Sequence, residues 1–208
     1  MSIKSFLRKN RYRLLVIFER LRGLDFSKQL DNERIGVNKS EGNYFSSSAY
    51  FEELRTLLRE LNISSKDGIF DFGFGKGATL VLFNKFPFGR IAGVELSDKL
   101  VKIAESNLEK LKIKKVKLIH ENATTCKDLD DYNYFYFYNP FPGEVMSVVL
   151  ENIKESIERS PRVVRLIYCN PEFHASVVAS NAFFLEKTFD SEVKWGVINL
   201  YKSSSNVD

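Results

Sequence analysis

The stretch Ile69-Phe70-Asp71-Phe72-Gly73-Phe74-Gly75-Lys76-Gly77-Ala78 decides the fold of this 208-residue chain. Its first half is a short apolar run that predicts a buried strand, and its second half places three glycines at alternate positions before a helix. Glycine accepts a positive φ and lets a ligand approach the main chain with no Cβ in the way. The stretch therefore predicts a strand, a tight turn and a helix, with a ligand site at the turn.

The spacing of the glycines leaves two kinds of cofactor open. Gly73, Gly75 and Ala78 satisfy the G-x-G-x-x-G/A fingerprint of dinucleotide sites. Asp71 stands two residues before the first glycine, where a carboxylate would repel a pyrophosphate but could accept hydrogen bonds from the amino-acid part of another cofactor. The second interpretation also uses the third alternate glycine. Its predicted binding residues are Asp71, Gly73, Phe74, Gly75, Lys76 and Gly77.

A strand–helix rhythm continues outward from this turn. The predicted strands cover residues 68–72, 90–96, 116–120, 132–138 and 163–169, and predicted helices end at 83 and cover 98–111 and 145–159. Residues 181–189 and 194–201 predict a closing antiparallel pair. Such alternation implies helices on both faces of a mostly parallel sheet. The predicted fold class is α/β, with a Rossmann-like seven-stranded sheet, an antiparallel final strand and an N-terminal helical extension.

Two further strand ends carry side chains suited to a nucleoside. Glu95 and Leu96 end the second strand, and a carboxylate there can bind both ribose hydroxyls because it offers two acceptor oxygens. Alternatively, Glu95 is a solvated acid at a strand end. Asn122 and Ala123 follow the third strand, and the Asn122 oxygen can accept a hydrogen bond from an adenine amino group. Alternatively, Asn122 caps a turn.

Residues 68–142 resemble the class I S-adenosylmethionine-dependent methyltransferases. Within that superfamily, residues 87–97 (PFGRIAGVELS) and Tyr138-Asn139-Pro140-Phe141 resemble small bacterial methyltransferases of mostly unassigned substrate. The resemblance extends over about residues 44–185, and the stretch from Tyr44 to Tyr50 is similar to a tyrosine-containing loop that covers the cofactor in related enzymes, including lysine methyltransferases. The resemblance implies S-adenosylmethionine as cofactor. It also places Asn122 where many members carry an Asp that reads the adenine amino group.

The end of the fourth strand is where the resemblance places the chemistry. Asn139, Pro140 and Phe141 are expected to border the methyl acceptor, and Asn139 to touch the cofactor as well. Amino-directed members often carry Asn/Asp-Pro-Pro-aromatic here, whereas this chain has Asn-Pro-Phe-Pro, a departure from the nucleic-acid N-methyltransferases. A neutral amine acceptor needs mainly alignment, but an alcohol usually needs a base. The candidate bases on the following loops are Glu144, Glu172 and His174, and no spacing selects one of them.

Basic residues concentrate at the N-terminus. Residues 1–22 contain seven basic residues and one acidic residue, whereas the whole chain has a net charge of only +4. Residues 3–22 predict a basic amphipathic helix that contacts a polyanion or a membrane surface, or that is only solvated or packed against the protein itself. The apolar run 14–18 is too short for a secretory signal. No stretch reaches the roughly 20 apolar residues of a membrane span.

The composition excludes several other classes of protein. Cys126 and Cys169 show no metal-type spacing and the chain has two histidines, which predicts no structural metal and a cytoplasmic location. The predicted domains are a basic helix and loop over 1–47, a methyltransferase domain over 48–202 and a polar tail over 203–208. A helix at about 48–62 opens the methyltransferase domain, with a serine run before it as a cap.

The sequence thus predicts an enzyme that transfers a methyl group from S-adenosylmethionine to an acceptor that it does not identify: a small molecule, a glycan or a protein amine. Two alternatives stay open. An NAD(P)-dependent oxidoreductase would fit the spacing of Gly73, Gly75 and Ala78, although the chain has no evident Tyr-x-x-x-Lys constellation. A non-catalytic binding module would keep the methyltransferase fold and use the basic helix for contact.

Overall fold

The computed structural model describes residues 14, 16–28, 30, 32–38, 40–42, 52–190 and 196–204. The strands of its single sheet are β1 (Gly68–Phe72), β2 (Arg90–Glu95), β3 (Val116–His120), β4 (Tyr134–Tyr138), β5 (Arg165–Cys169), β6 (Phe183–Phe189) and β7 (Ile198–Ser203). The helices are α1 (Asn32–Ile35), α2 (Glu52–Glu60), α3 (Ala78–Phe83), α4 (Asp98–Lys110), α5 (Gly143–Arg159) and α6 (His174–Ala179). Residues 14 and 16–21 are also helical.

The sheet has the strand order β3-β2-β1-β4-β5-β7-β6. Strands β1 to β5 run parallel, and β7 lies antiparallel between β5 and β6. The predicted mostly parallel seven-stranded sheet with helices around it is therefore confirmed. Because β1 lies between β2 and β4, the chain reverses its direction of winding at β1, which opens a crevice beyond the carboxyl ends of these strands.

Strand β4 shows why the sheet is buried on both faces. Successive side chains of a strand point to opposite faces. Phe135 and Phe137 pack into the core layer beneath α5, whereas Tyr134 and Tyr136 pack into the layer beneath α2 and α3. The rings of Phe137 and Phe72 stack with their centroids 5.0 Å apart, a contact that adds about 1 kcal/mol beyond the buried area. An all-aromatic strand is therefore a central strand here.

Several element boundaries differ from the predicted ones. Helix α6 was missed, because six residues after a proline are too few to show helical periodicity. Ser203, assigned to the polar tail, ends β7: its hydroxyl accepts a hydrogen bond from Val164 N at 3.0 Å, so the ladder holds it. Helix α2 ends at Glu60, two residues before the predicted end; the predicted start at about 48 lies outside the described residues. The serine run before it, the Tyr44–Tyr50 stretch, Lys194 and residues 1–13 of the basic helix lie outside the described residues.

The segment before α2 packs onto the sheet domain at its described positions. Leu24 and Phe26 form a buried cluster with Ala78, the first residue of α3. Ile35 packs in another cluster with Leu100 of α4. The sequence predicted a loop between the basic helix and α2, and the short helix α1 lies within it. The contacts bring this segment beside the glycine turn and the start of α4.

Candidate functional site

A cavity opens beyond the carboxyl ends of β1, β2, β3 and β4. It holds about 710 Å³ of empty space, counted with the open solvent at its mouth. Nine of the residues predicted from the sequence line it: Gly73, Gly75, Glu95, Leu96, Asn122, Ala123, Asn139, Pro140 and Phe141. Four others, Asp71, Phe74, Lys76 and Gly77, are absent from its described lining. The cavity thus joins four predicted segments that lie far apart in sequence.

The glycine turn forms one wall of the cavity. Gly73, Gly75 and Gly77 have φ values of 79°, 56° and 82°, in the left-handed region where a Cβ is unfavourable. A Cβ at Gly73 would also lie only 2.7 Å from the Cβ of Pro140. The Gly73 amide donates a hydrogen bond to Val94 O at 2.8 Å, which ties the turn to β2. Glycine is needed at 73 both for conformation and for the close approach of the segment after β4.

Glu95 lies at the floor of the cavity and organises the main chain around it. Its carboxylate accepts hydrogen bonds from Gly75 N and Ser97 N, both at 2.9 Å. Burial raises the pKa of the Glu95 carboxyl, and the hydrogen bonds from these amides oppose that shift. The Leu96 amide is a third main-chain donor to this carboxylate and also lowers its pKa, so three amides hold Glu95 in place. The neighbouring Ser97 caps α4 by accepting a hydrogen bond from Leu100 N.

Asp71 lies behind the glycine turn rather than at the cavity surface. Only 1% of its surface is exposed, and its carboxylate accepts a hydrogen bond from the Thr79 hydroxyl of α3. Burial raises the pKa of Asp71 to about 7, a rise to which Glu95 adds and which the Thr79 hydrogen bond opposes. The direct contact with a cofactor that the sequence suggested therefore stays a prediction. In the structure Asp71 holds the turn against α3.

The buried Asp71 carboxyl gives the stability of the protein a defined pH dependence. The folded state holds the proton more tightly than the unfolded state, whose pKa is near 3.8. Stability from this group is therefore fully present below that pH and is lost as the pH rises through about 7. We expect urea titrations to show that the free energy of unfolding of Asp71→Asn, relative to that of the native chain, rises between pH 4 and pH 8. The rise should be on the order of a few kcal/mol. A difference that does not change with pH would contradict this assignment.

Lys76 was predicted as a cofactor-binding residue, and the structure places its side chain elsewhere. The side chain has no exposed surface, and its ammonium donates to Asp25 Oδ1 at 2.6 Å and to Lys28 O at 2.7 Å. Burial lowers the pKa of the Lys76 ammonium, and the pairing with Asp25 opposes that shift. The cause is that successive side chains of the turn diverge, and that of Lys76 faces the N-terminal segment; contact between a cofactor and the main chain of Lys76 stays a prediction. The ion pair holds that segment against the glycine turn.

Lys76→Met should loosen the contact between the N-terminal segment and the glycine turn. The substitution keeps the length of the side chain but removes a buried, charge-assisted hydrogen-bond donor. We expect urea unfolding to show a loss of about 1–3 kcal/mol, and limited proteolysis to cut faster within residues 23–37. Lys102→Met is the control, because its pair with Asp98 on α4 is exposed to solvent and such surface pairs contribute little to stability. Equal behaviour of the two variants would contradict the assigned role.

The turn after β3 shows why Asn122 lines the cavity. The Asn122 side-chain oxygen accepts hydrogen bonds from the amide and the hydroxyl of Thr124, at 2.9 and 2.8 Å. Both acceptor positions of that oxygen are thereby used. The arrangement matches the turn-capping alternative, and the predicted hydrogen bond to an adenine amino group would require Thr124 to move. Glu121, which the sequence analysis did not select, lines the same wall.

The segment after β4 forms the opposite wall. Asn139 has a φ of 43°, a left-handed conformation that Asn tolerates better than most residues. Its side-chain oxygen accepts a hydrogen bond from the Tyr168 hydroxyl at 3.3 Å. Phe141 is buried and packs edge-on against Phe137. The wall is therefore held by packing and by the end of β5.

The three candidate bases are absent from the described lining of the cavity. His174 begins α6 instead of lying on a loop, and its Nδ1 lies 2.8 Å from the Tyr201 hydroxyl of β7. Glu144 is exposed in the first turn of α5. Glu172 is exposed, and its carboxylate accepts a hydrogen bond from Asn170 Nδ2 at 3.4 Å.

Part of the cavity wall comes from the N-terminal segment, which the sequence analysis did not connect to the site. Ile35, Val37, Glu41 and Gly42 line the cavity. A Cβ at Gly42 would lie 3.4 Å from Pro140 O, so the segment meets the wall that follows β4. The alternation of apolar residues around Gly36 was the available signal, but the surrounding polar composition favoured a solvated loop.

Within the described residues, no group of three or more metal-ligating side chains occurs, and no helix is long and apolar enough to cross a membrane. Cys126 and Cys169 are both buried free thiols, and burial raises the pKa of Cys126 to about 11.

No protein-family model matches the chain, and no curated protein matches its sequence. Solved structures share its fold at low identity. The PH0226 protein from Pyrococcus horikoshii OT3 is 14% identical, with a TM-score of 0.58 over 74% of this chain and 89% of that one. StiE O-MT, residues 961–1257, is 13% identical, with a TM-score of 0.58 over 76% and 74%. The putative methyltransferase yhhF from Escherichia coli is 14% identical, with a TM-score of 0.57 over 74% and 84%.

Proposed function

We propose that this chain, which has the class I methyltransferase fold, is an S-adenosylmethionine-dependent methyltransferase. The observation that carries the proposal is the single cavity in which the glycine turn, Glu95, the turn after β3 and the segment after β4 meet. The ends of β1, β2 and β3 would face the nucleoside of the cofactor there, and the end of β4 would face the methyl group that is transferred. The two buried free thiols agree with the predicted cytoplasmic location.

The donor set of the cavity fits this cofactor. The two oxygens of the Glu95 carboxylate, which lines the cavity, suit the two ribose hydroxyls. Gly73 and Gly75 have positive φ values and no side chains, so a ligand can approach the main chain of the turn. When bound, the cofactor supplies a methyl group on a sulfonium, which a nucleophile can displace in line. The residues of the chain would bind the cofactor, align the acceptor and exclude water.

We place Glu121, rather than the oxygen of Asn122, opposite the adenine amino group. The Asn122 oxygen is occupied by Thr124. Glu121 lines the same wall. Among the described residues, its carboxylate accepts one side-chain hydrogen bond, from the Thr125 hydroxyl at 2.7 Å. A carboxylate with remaining acceptor positions is a suitable partner for an amino group.

The two adenine assignments predict different mutational effects. We expect Glu121→Ala to weaken binding of S-adenosylhomocysteine about tenfold, the value of one hydrogen bond to a charged group. The same substitution should change affinity for a purine analogue that lacks the amino group very little. Asn122→Ala should lower thermal stability through the lost turn cap. Calorimetric titration of both variants with both ligands decides between the two assignments. If Asn122→Ala loses affinity for S-adenosylhomocysteine but not for the analogue without the amino group, the assignment is reversed.

The lining of the cavity favours a neutral amine as methyl acceptor. Among its described residues, the ionisable side chains are Glu41, Glu95, Glu121 and Tyr138, and the three candidate bases lie elsewhere. A neutral amine needs alignment more than a base. Asn139, Pro140 and Phe141 would supply that alignment, since they form a supported wall at the end of β4. The labelling experiment below distinguishes an amine of a small molecule, of a glycan and of a protein side chain.

Two observations separate this proposal from a dinucleotide oxidoreductase. An all-parallel dinucleotide sheet has the order 3-2-1-4-5-6, whereas here an antiparallel β7 lies between β5 and β6. Asp71 lies buried directly behind the glycine turn, where its carboxylate would add a negative charge close to a pyrophosphate. Both observations favour a cofactor with one nucleoside and no phosphate.

Calorimetric titration with S-adenosylhomocysteine and with NAD tests the cofactor. We expect binding of the first and none of the second; the opposite pattern would establish the oxidoreductase. Incubation of the protein with a fractionated cell extract and a radioactive methyl donor then tests catalysis. Label transferred to a protein, glycan or small-molecule fraction supports the enzyme. Binding of S-adenosylhomocysteine without transfer to any fraction would favour the non-catalytic binding module.

A further inference from the structure

The N-terminal helix exposes its apolar side. Leu14, Ile17, Phe18 and Leu21 are 67%, 53%, 45% and 82% exposed. Their spacing of three and four residues places them along one side of a helix. We call these four residues the apolar stripe. A surface helix normally buries such a stripe against the domain, so its exposure calls for a partner outside the described chain.

The opposite side of the same helix is the one that contacts the protein. Glu19 is only 4% exposed, and its carboxylate accepts hydrogen bonds from Phe26 N at 3.3 Å and Ser27 N at 3.0 Å. The helix is thus reversed relative to an ordinary amphipathic helix, with its acid facing inward and its apolar residues facing outward.

The end of the helix fixes this orientation. Gly23 has a φ of 65°, Gly23 N donates to Arg20 O at 3.1 Å, and Leu24 N donates to Glu19 O at 2.8 Å. This pair of bonds is a Schellman motif. Leu24 is then buried with Phe26 against the start of α3. Turning the stripe inward would break the motif, the Glu19 hydrogen bonds and this cluster.

The charge around the stripe is positive. Residues 1–22 carry seven basic side chains, and their one acid is the inward-facing Glu19. Arg20 and Arg22 are exposed on either side of the stripe, and the Arg22 guanidinium lies 4.7 Å from the centre of the Phe18 ring. An exposed apolar side flanked by arginines is the pattern of a helix that lies in the interface of a lipid bilayer.

We propose that this helix docks the protein on an anionic lipid surface, with the apolar stripe inserted among the acyl chains and the arginines at the headgroups. A nucleic acid would satisfy the charge but leave the stripe in water. A second copy of the chain would bring the same positive segment against this one. An anionic bilayer satisfies both the stripe and the charge, and it requires no membrane-spanning helix.

Sedimentation of the full chain with vesicles tests the proposal. We expect binding to phosphatidylcholine vesicles that contain phosphatidylserine, weaker binding at high salt, and little binding to phosphatidylcholine alone. Ile17→Asn with Leu21→Asn should lower the partition coefficient at least about tenfold, because each substitution removes a side chain that contributes apolar transfer free energy. Arg20→Gln with Arg22→Gln should lower it mainly at low salt.

Matched variants control for general surface effects. Phe184→Asn with Val178→Asn removes two apolar side chains that are 46% and 44% exposed elsewhere on the surface, and it should leave vesicle binding unchanged. All variants should keep the native melting temperature and the native affinity for S-adenosylhomocysteine, which separates this proposal from the proposed function. No binding to anionic vesicles would overturn the proposal. So would binding to RNA that the asparagine pair leaves unchanged, or a concentration-dependent dimer that the pair abolishes while vesicle binding persists.

Discussion

Glu95→Gln is expected to weaken binding of S-adenosylhomocysteine by about 100-fold or more. The substitution keeps the size of the side chain but replaces one carboxylate oxygen by an amide group that cannot accept hydrogen bonds. One ribose hydroxyl then loses its acceptor oxygen, and the other keeps a neutral acceptor in place of a charged one. Two such losses of about 1.5 kcal/mol each correspond to about 100-fold in affinity. The hydrogen bond that Gly75 N or Ser97 N loses lowers the stability of the protein with and without ligand. Calorimetric titration measures the change in affinity.

Glu105→Gln on α4 is the matched control for Glu95→Gln, because Glu105 is exposed and is absent from the cavity lining. We expect the control to bind like the native chain. Since Glu95 also holds the glycine turn, the melting temperature of each variant without ligand is measured alongside. Native affinity in a folded Glu95→Gln variant would show that the ribose does not lie on this carboxylate.

Gly73→Ala is expected to lower the free energy of unfolding by about 2–4 kcal/mol and to reduce cofactor binding with it. The new Cβ would lie 2.7 Å from Pro140 Cβ, so the turn and the wall after β4 must separate. Overpacking of this kind costs about 1–3 kcal/mol, and the positive φ adds about 1 kcal/mol. Urea unfolding measures the stability, and calorimetric titration measures the binding.

Gly36→Ala separates the two causes of that loss. Gly36 has a φ of 71°, close to the 79° of Gly73, but a Cβ there would meet no atom within 4 Å. We expect Gly36→Ala to lose only about 1 kcal/mol, the conformational part. Adding Pro140→Gly to Gly73→Ala should restore part of the stability, because it removes the atom that the new Cβ meets. Equal losses for the two glycines, without such recovery, would contradict the close approach at Gly73.

Much of the fold followed from local patterns. The apolar runs at β1 and β4 and the apolar periodicity of α4 predicted their elements within one or two residues, because such patterns are repeated over several positions. Helix α6 was too short to carry a pattern, and Ser203 was judged by its polarity although its hydrogen bonds to the main chain keep it in β7.

The site was only partly predictable, for a different reason. A sequence shows which residue types follow a strand, but the direction of each side chain depends on neighbours that are distant in sequence. Lys76 lies within the glycine motif yet pairs with Asp25. Asn122 has a suitable oxygen, but Thr124 occupies it. Glu41 and Gly42 reach the cavity through contacts that no local pattern in the chain reports.

The sequence by itself determined the strand–helix order, the glycine turn and the acid at the end of β2, because these depend on periodicity and on main-chain conformations that few residues adopt. Only the tertiary structure decided which polar groups face the cavity, which are used up in holding its walls, and that the N-terminal helix turns its apolar side outward. The physical reason is that hydrogen bonds and burial are shared among segments: Glu19, Asp71 and Lys76 have the partners that folding brings to them.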